Sequence, residues 1–193
     1  IYFGVRISIN YGYQSMSEAG KSFECSIKDA EELLIRFDRE NNTTAKPNSE
    51  TLKRAGMVIA MAAWETYIKD RFREEIDFWL ASVNGSLLGN FVQRKANEDL
   101  KRFFNPNTDR IKQLFKSYFE IDITTGWIWD NYQAPQARKV LNELIAKRGE
   151  AAHIANTSPC GAHIVKRDDL DKAIRFLKGL VKVTENIVIV KKV

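Results

Sequence analysis

The sequence is poor in the residues on which several classes of protein depend. Its 193 residues include only two cysteines, too few for a framework of disulfides, so both thiols are expected to be free. No apolar run approaches the roughly 20 residues that a transmembrane helix needs. The first fifteen residues lack the basic start, apolar centre and cleavage site of a secretory signal. These absences predict a cytoplasmic protein that does not enter a membrane.

The chain also lacks the common catalytic and cofactor motifs. It has no glycine-rich phosphate loop, no Ser-His-Asp arrangement and no carboxylate pattern typical of a metal site. A tetrahedral zinc site would need Cys25, Cys160, His153 and His163 together, and only Cys160 and His163 are close in sequence. We therefore expect no cofactor and no metal. Any proton transfer that needs an imidazole at neutral pH must use His153 or His163.

Positive charge is concentrated in the last third of the chain. Residues 131–193 carry twelve Lys and Arg against six Asp and Glu, whereas residues 1–130 carry eighteen against nineteen. A positive surplus attracts polyanions such as RNA and adds salt-sensitive affinity. The simpler interpretation is that these lysines only solubilise the last helix. Composition alone leaves both interpretations open.

Hydrophobic spacing predicts helices through most of the chain. They cover residues 26–41, 49–82, 91–104, 107–121, 135–153 and 166–190. The second and longest is expected to start with Ser49 as its N-cap and to bury one broad stripe, formed by Met57, Ala60, Met61, Trp64, Tyr67, Ile68, Phe72, Ile76 and Trp79. Residues 122–135 and 156–163 are predicted as loops.

The fold class that follows is an all-α, antiparallel bundle of five or six helices. No repeat or internal linker divides it, so residues 16–193 are predicted to form a single domain. Met16 has the appearance of a natural start. Residues 1–15 are therefore interpreted as a non-native or flexible N-terminal extension.

Four stretches of this sequence resemble a HEPN domain, specifically the RiboL-PSP-HEPN branch. They are LKRAGMVIAMAAWETYIKDRF, LFKSYFEID, LNELIAKRGEAAH and DDLDKAIRFLKGLV, and the resemblance runs from about Ser49 to about Val183. The mark of the family is an Arg followed after four to six residues by a His, which Arg148 and His153 match.

The resemblance implies a function and partners. HEPN domains of this kind are metal-independent endoribonucleases, usually homodimers in which two Arg and His pairs meet across a cleft. The activity expected here is RNA cleavage, by the toxin of a toxin and antitoxin pair or by an anti-phage defence system, with a cognate antitoxin protein as inhibitor. The alternative is a non-catalytic HEPN-like module that binds RNA or a protein partner.

Arg148 and His153 are suited to RNA cleavage by attack of the substrate's own 2′-hydroxyl. An imidazole can accept or donate the protons that this reaction moves. A guanidinium offers a planar fork of donors to the phosphate oxygens and keeps its charge. Five residues along an α-helix are a rotation of about 140°, however, which splays the two side chains apart. The length of the arginine, a loosened turn at Gly149 or a second copy of the chain can close the gap, and we favour the second copy.

Two carboxylates are candidates for orienting the motif arginine. Many family members carry a polar residue, often Asn or Asp, directly after the Arg, where this chain has Gly149. Either Glu150 takes over that orienting role, or activity is lower than in the family generally. Glu65 is expected to point into the same cleft and orient Arg148, or else to be a solvated glutamate on the helix surface.

Four further residues are candidate RNA contacts: Arg138, Lys139, Lys147 and Trp127. Trp127, with Trp129 and Tyr132, has the chemistry to stack on bases of single-stranded RNA. Such a tryptophan is more often buried, where it would seal one end of the bundle. His163 lies outside the motif and is expected in a surface loop.

Overall fold

A computed structural model of the chain describes residues 8–9, 16–41, 50–153 and 163–188. Its six α-helices are α1 (Glu18–Asn41), α2 (Glu50–Leu80), α3 (Leu87–Lys101), α4 (Thr108–Phe119), α5 (Ala134–His153) and α6 (Arg167–Glu185). Short 3-10 helices span Ala81–Val83 and Ile123–Gly126. Two residues at each end of the described chain, β1 (Ser8–Ile9) and β2 (Ile187–Val188), pair in antiparallel fashion. The predicted all-α bundle is confirmed.

Helix α2 lies at the centre of the bundle and packs against α1, α3, α5 and α6. Its predicted stripe is buried from Met57 to Ile76, and each large apolar side chain removed from water contributes about 1.5–3 kcal/mol. Trp79 is the exception, because half of its surface stays exposed. The prediction that Trp79 belongs to the core was wrong, because the end of α2 is exposed at Asp77, Phe78 and Trp79, where the indole stacks on Phe119 with ring centroids 6.4 Å apart.

Polar side chains fix the helix ends. Asn107 caps α4 by accepting a hydrogen bond through its side chain from the amide of Arg110. Helix α1 begins eight residues earlier than predicted, and hydrogen bonds to side chains of other helices hold its start in place. Glu185 of α6 accepts hydrogen bonds from the backbone amide of Ser17 at 2.8 Å and from its hydroxyl at 2.9 Å. Ser49, the predicted cap of α2, lies outside the described residues.

The connection between α4 and α5 is the ordered loop that the sequence predicts. Asp122 caps its 3-10 turn by accepting from the Thr124 amide at 3.0 Å. Trp129 and Tyr132 then form an isolated bridge and stack with ring centroids 4.8 Å apart. No helix among the described residues is both long and apolar enough to cross a membrane. Of the N-terminal extension only residues 8–9 are described, and its non-native origin stays a prediction.

Candidate functional site

The last two turns of α5 carry the motif pair. The helix is continuous from Ala134 to His153, so the loosened turn that we considered at Gly149 is not found. A methyl group added at Gly149 would meet no atom within 4 Å. Arg148 is half-buried and His153 is exposed. Because the helix stays regular, the offset of about 140° between the two side chains remains.

Arg148 is held by an asparagine from another part of the chain. Its Nη1 donates to Oδ1 of Asn105 at 2.8 Å, and Asn105 lies in the turn between α3 and α4. Arg148 has no other hydrogen bond to the described residues, so none of them engages its remaining N–H donors. Sequence reasoning missed Asn105, the residue before Pro106.

Glu65 reaches this arginine through the same asparagine. Its Oε2 accepts from the backbone amide of Asn105 at 3.2 Å, while its Oε1 pairs with Lys69 at 2.7 Å. The Glu65 side chain is only 20% exposed, which sets it apart from a freely solvated surface carboxylate. The structure therefore joins Glu65 to Arg148 by way of Asn105, with no direct hydrogen bond between the two side chains.

The turn that carries Asn105 is itself well anchored. Arg110 of α4 donates from Nη2 to the carbonyl of Arg102 at 2.7 Å and from Nη1 to the carbonyl of Phe104. The amide of Asn107 donates to the carbonyl of Asn105 at 2.8 Å. These bonds satisfy backbone groups that the two helix ends leave open. Asn105 is thus presented to Arg148 by a fixed turn.

A second guanidinium lies near the end of α5. Arg54 of α2 donates from Nε to the carbonyl of Ala151 at 2.8 Å, two residues before His153. A cation at the C-terminus of a helix satisfies an open carbonyl and favours the negative end of the helix dipole. Arg54 was also missed from the sequence, because nothing in the pattern of α2 indicates which neighbouring helix end it meets.

The candidate RNA contacts do not all present a free cation. Lys147 pairs with Asp169 of α6 at 2.8 Å. Although partial burial disfavours the charged carboxylate, hydrogen bonds from Lys147 and from the Lys166 amide hold the pKa of Asp169 below its ordinary value. Arg138 is half-buried on α5 and has no ion-pair partner among the described residues. Lys139 is exposed, with Glu143 3.9 Å away.

Trp127 does not fit the role of an RNA contact. Its side chain is fully buried and packs edge-on against Trp64, with ring centroids 6.1 Å apart. A ring without exposed surface cannot stack on a base, so the expectation of an RNA contact was wrong for this residue. Trp127 instead seals the bundle, which is the alternative weighed from the sequence. Trp129 is partly exposed, although Tyr132 and Phe176 cover its faces.

Glu150, the other candidate orienting carboxylate, is exposed and has no hydrogen-bond partner within the described part of the chain. It follows Gly149 in the helix but makes no contact of this kind to Arg148. An orienting role for Glu150 therefore stays a prediction, and the structure offers Asn105 as a residue in contact with the motif arginine.

His163 is not the simple surface residue that we expected. Its Nδ1 lies 2.6 Å from the Nζ of Lys53, which is 2% exposed and sits over the ring of Phe37. Burial lowers the pKa of the Lys53 ammonium, against the opposing effect of Glu50. Glu50, also buried, accepts a hydrogen bond from the amide of Ile164. His163 thus helps to attach the start of the α6 region to α2.

The residues weighed for a zinc site are not brought together where the structure describes them. Cys25 is exposed on α1, and Cys160 lies outside the described residues. Within residues 16–41, 50–153 and 163–188, no group of three or more His, Cys, Asp or Glu side chains is placed to hold a metal ion.

Comparison with known proteins adds the family. The model of the RiboL-PSP-HEPN family matches residues 26–190, which include α2 to α6, the motif pair and Asn105. Neither the curated proteins nor the solved structures give a match. The match covers most of the chain, and the structure is an all-α bundle with Arg148 and His153 near the end of α5. The chain belongs to the RiboL-PSP-HEPN family.

Proposed function

We propose that this protein is an endoribonuclease that cleaves RNA by attack of the substrate's 2′-hydroxyl on the adjacent phosphate. The observation that carries the proposal is the motif pair on the last turns of α5, with Arg148 fixed by Asn105 and His153 exposed. Membership of a HEPN family supports it. The positive surplus of residues 131–193 favours an RNA substrate.

The two side chains divide the chemistry. His153 takes the proton of the attacking hydroxyl or gives one to the leaving 5′-oxygen, because an imidazole side chain can act as a general base or as a general acid. Arg148 binds the non-bridging phosphate oxygens, where negative charge builds up in the transition state. The products would be a 2′,3′-cyclic phosphate and a free 5′-hydroxyl. Neither step assigns a role to a metal ion.

We propose further that the active form is a homodimer. A continuous α5 keeps Arg148 and His153 about 140° apart around one helix axis, so one copy does not direct both at the same phosphate. Two-fold symmetry brings two identical surfaces together and pairs the Arg148 of one copy with the His153 of the other.

A toxin or anti-phage defence role, with a protein antitoxin as inhibitor, is the biological setting that we propose for this nuclease. It is supported by the family resemblance rather than by any contact in the bundle. Induced expression in bacteria would test it, because the wild-type chain should arrest growth and His153→Ala should not. Continued growth with well-expressed, folded wild-type protein would contradict this setting without touching the chemistry.

A second candidate function is a non-catalytic module that binds RNA or a protein. Gly149 favours it, because the polar residue common in the family is absent at this position and neighbouring Glu150 makes no hydrogen bond to the described residues. Loss of His153 distinguishes the two functions. A nuclease loses turnover with this side chain, whereas a binding module keeps most of its affinity.

The nuclease is tested by incubating purified protein with cellular RNA in EDTA. We expect cleavage by the wild type and a loss of roughly 10²- to 10⁴-fold in His153→Ala and in Arg148→Ala. Arg175→Ala is the matched control, because Arg175 is an exposed arginine on α6 whose one ion-pair partner among the described residues is Asp171, at 2.7 Å. Undiminished cleavage by His153→Ala, or activity that disappears in EDTA, would contradict the mechanism.

The dimer has its own test. Arg148→Ala and His153→Ala are each inactive alone, but a mixed dimer contains one site with both side chains if the two copies share them. Random mixing should therefore restore about a quarter of the wild-type rate. A monomeric mass at micromolar concentration, or no recovery on mixing, would exclude shared sites.

A further inference from the structure

Asn105 joins three parts of the bundle at one residue. Its side-chain oxygen accepts from Arg148 of α5 at 2.8 Å, and its backbone amide donates to Glu65 of α2 at 3.2 Å. Its backbone carbonyl accepts from the amide of Asn107, at the start of α4, at 2.8 Å. Both backbone groups and the side chain are therefore engaged, each with a different element.

The backbone of Asn105 is also held in a conformation that side chains seldom adopt. Its φ is 49°, in the left-handed region, where asparagine is tolerated better than most residues. Such a conformation persists only where the surroundings impose it, and it is concentrated at functional positions. Here the surroundings are the hydrogen bonds to Glu65 and Asn107.

Two other described residues besides glycine share this backbone region, and in both it follows from a helix end or a tight turn. Glu120, with φ 58°, ends α4 in a left-handed cap. Asp130, with φ 42°, lies inside the tight turn that the Trp129 and Tyr132 bridge closes. Asn105 differs from both because its side chain accepts a hydrogen bond from the motif arginine, Arg148.

We propose that Asn105 is the positioning residue for Arg148. By taking one hydrogen bond of the guanidinium at Nη1, it fixes the plane of the group and leaves the other N–H donors for the two non-bridging oxygens of the phosphate. Glu65 acts one step further back by holding the Asn105 amide. The inference rests on the proposed function, since it assigns a role in RNA cleavage.

The test separates the side chain of Asn105 from its backbone. Asn105→Gly keeps the left-handed conformation and removes the acceptor, so we expect kcat to fall roughly 10- to 100-fold with little change in KM. Asn105→Asp keeps an oxygen in place and tolerates the same backbone, so it should recover part of the rate that Asn105→Gly loses. Melting temperatures of both variants should stay near that of the wild type.

Glu120→Gly is the matched control from the other end of α4. It makes the same kind of change at a left-handed position, and the exposed Glu120 side chain makes no hydrogen bond or ion pair to the described residues, so its kcat should stay at the wild-type value. If Asn105→Gly cleaves at the wild-type rate while Arg148→Ala is inactive, the positioning role is wrong and the nuclease stands. If Arg148→Ala cleaves normally, the proposed function itself fails.

A second measurement does not depend on activity. Rotation about the Nε–Cζ bond of Arg148, followed by NMR of its side-chain nitrogens, should be slower in the wild type than in Asn105→Gly. The signals are assigned by their absence in Arg148→Lys. Equal rotation in the two proteins would show that Asn105 does not hold the guanidinium in solution, and would overturn the inference.

Discussion

Replacing Gly149 by alanine should stabilise the protein. Gly149 lies within the continuous helix α5, and a Cβ placed on it meets no atom within 4 Å, so the methyl group neither clashes nor gains packing. The remaining effect is the backbone freedom that glycine loses on folding, which is about 0.5–1 kcal/mol in a helix. For a chain of this length, that corresponds to a rise in Tm of roughly 1–4 °C.

Gly56→Ala is the control, because it offers the same gain in helix propensity at a crowded position. A Cβ there would lie 2.7 Å from Cδ2 of Leu170, a side chain with no exposed surface. Because Leu170 is fully buried, moving its side chain aside would disturb its packed neighbours, so overpacking of about 1–3 kcal/mol should outweigh the gain. Urea unfolding followed by circular dichroism measures both variants. A lower midpoint for Gly149→Ala, or a higher one for Gly56→Ala, would refute this reasoning.

Two further predictions concern buried and half-buried carboxylates. Glu185→Gln should lose about 2–4 kcal/mol of stability in urea unfolding, because Glu185 is 12% exposed and accepts two hydrogen bonds from Ser17 and one from Tyr67. A loss no larger than that of the exposed variant Glu143→Gln would contradict this prediction. Asp169→Asn should cost less than about 1 kcal/mol at pH 7. Because the folded pKa of Asp169 lies below the unfolded value of 3.8, its contribution is present above that value and is lost as the pH falls through the folded pKa. The urea midpoints of Asp169→Asn and wild type should therefore converge as the pH is lowered through the folded pKa, and a constant gap would contradict the assignment.

The sequence predicts the helices well because each one has to bury an apolar stripe. The cap at Asn107 and the break at Pro106 follow from local backbone chemistry in the same way. The stripe does not show where cover by other helices ends, so Trp79 was misassigned. Burial of Trp127 depends on how the loop before α5 folds back against Trp64, which is a tertiary property.

The candidate site likewise contains residues that local sequence patterns reveal and residues that only the tertiary structure reveals. Arg148 and His153 are recognisable from sequence because their spacing is local. Asn105 precedes Arg148 by 43 residues, and its role depends on a left-handed backbone that no pattern in the chain indicates. Arg54 is hidden for a similar reason, because its partner is a main-chain carbonyl with no side-chain identity.

The first turns of α2 hold the chain on both sides of the stretch from residue 154 to residue 162. Arg54 donates a hydrogen bond to the carbonyl of Ala151. Lys53 is hydrogen-bonded to His163, and Glu50 accepts a hydrogen bond from the amide of Ile164. Three side chains within the first five residues of one helix therefore hold both flanks. The end of α5, which carries His153, and the residues that lead into α6 are thus positioned against the same short segment of α2. A substitution that displaces the first turns of α2 should disturb both ends together.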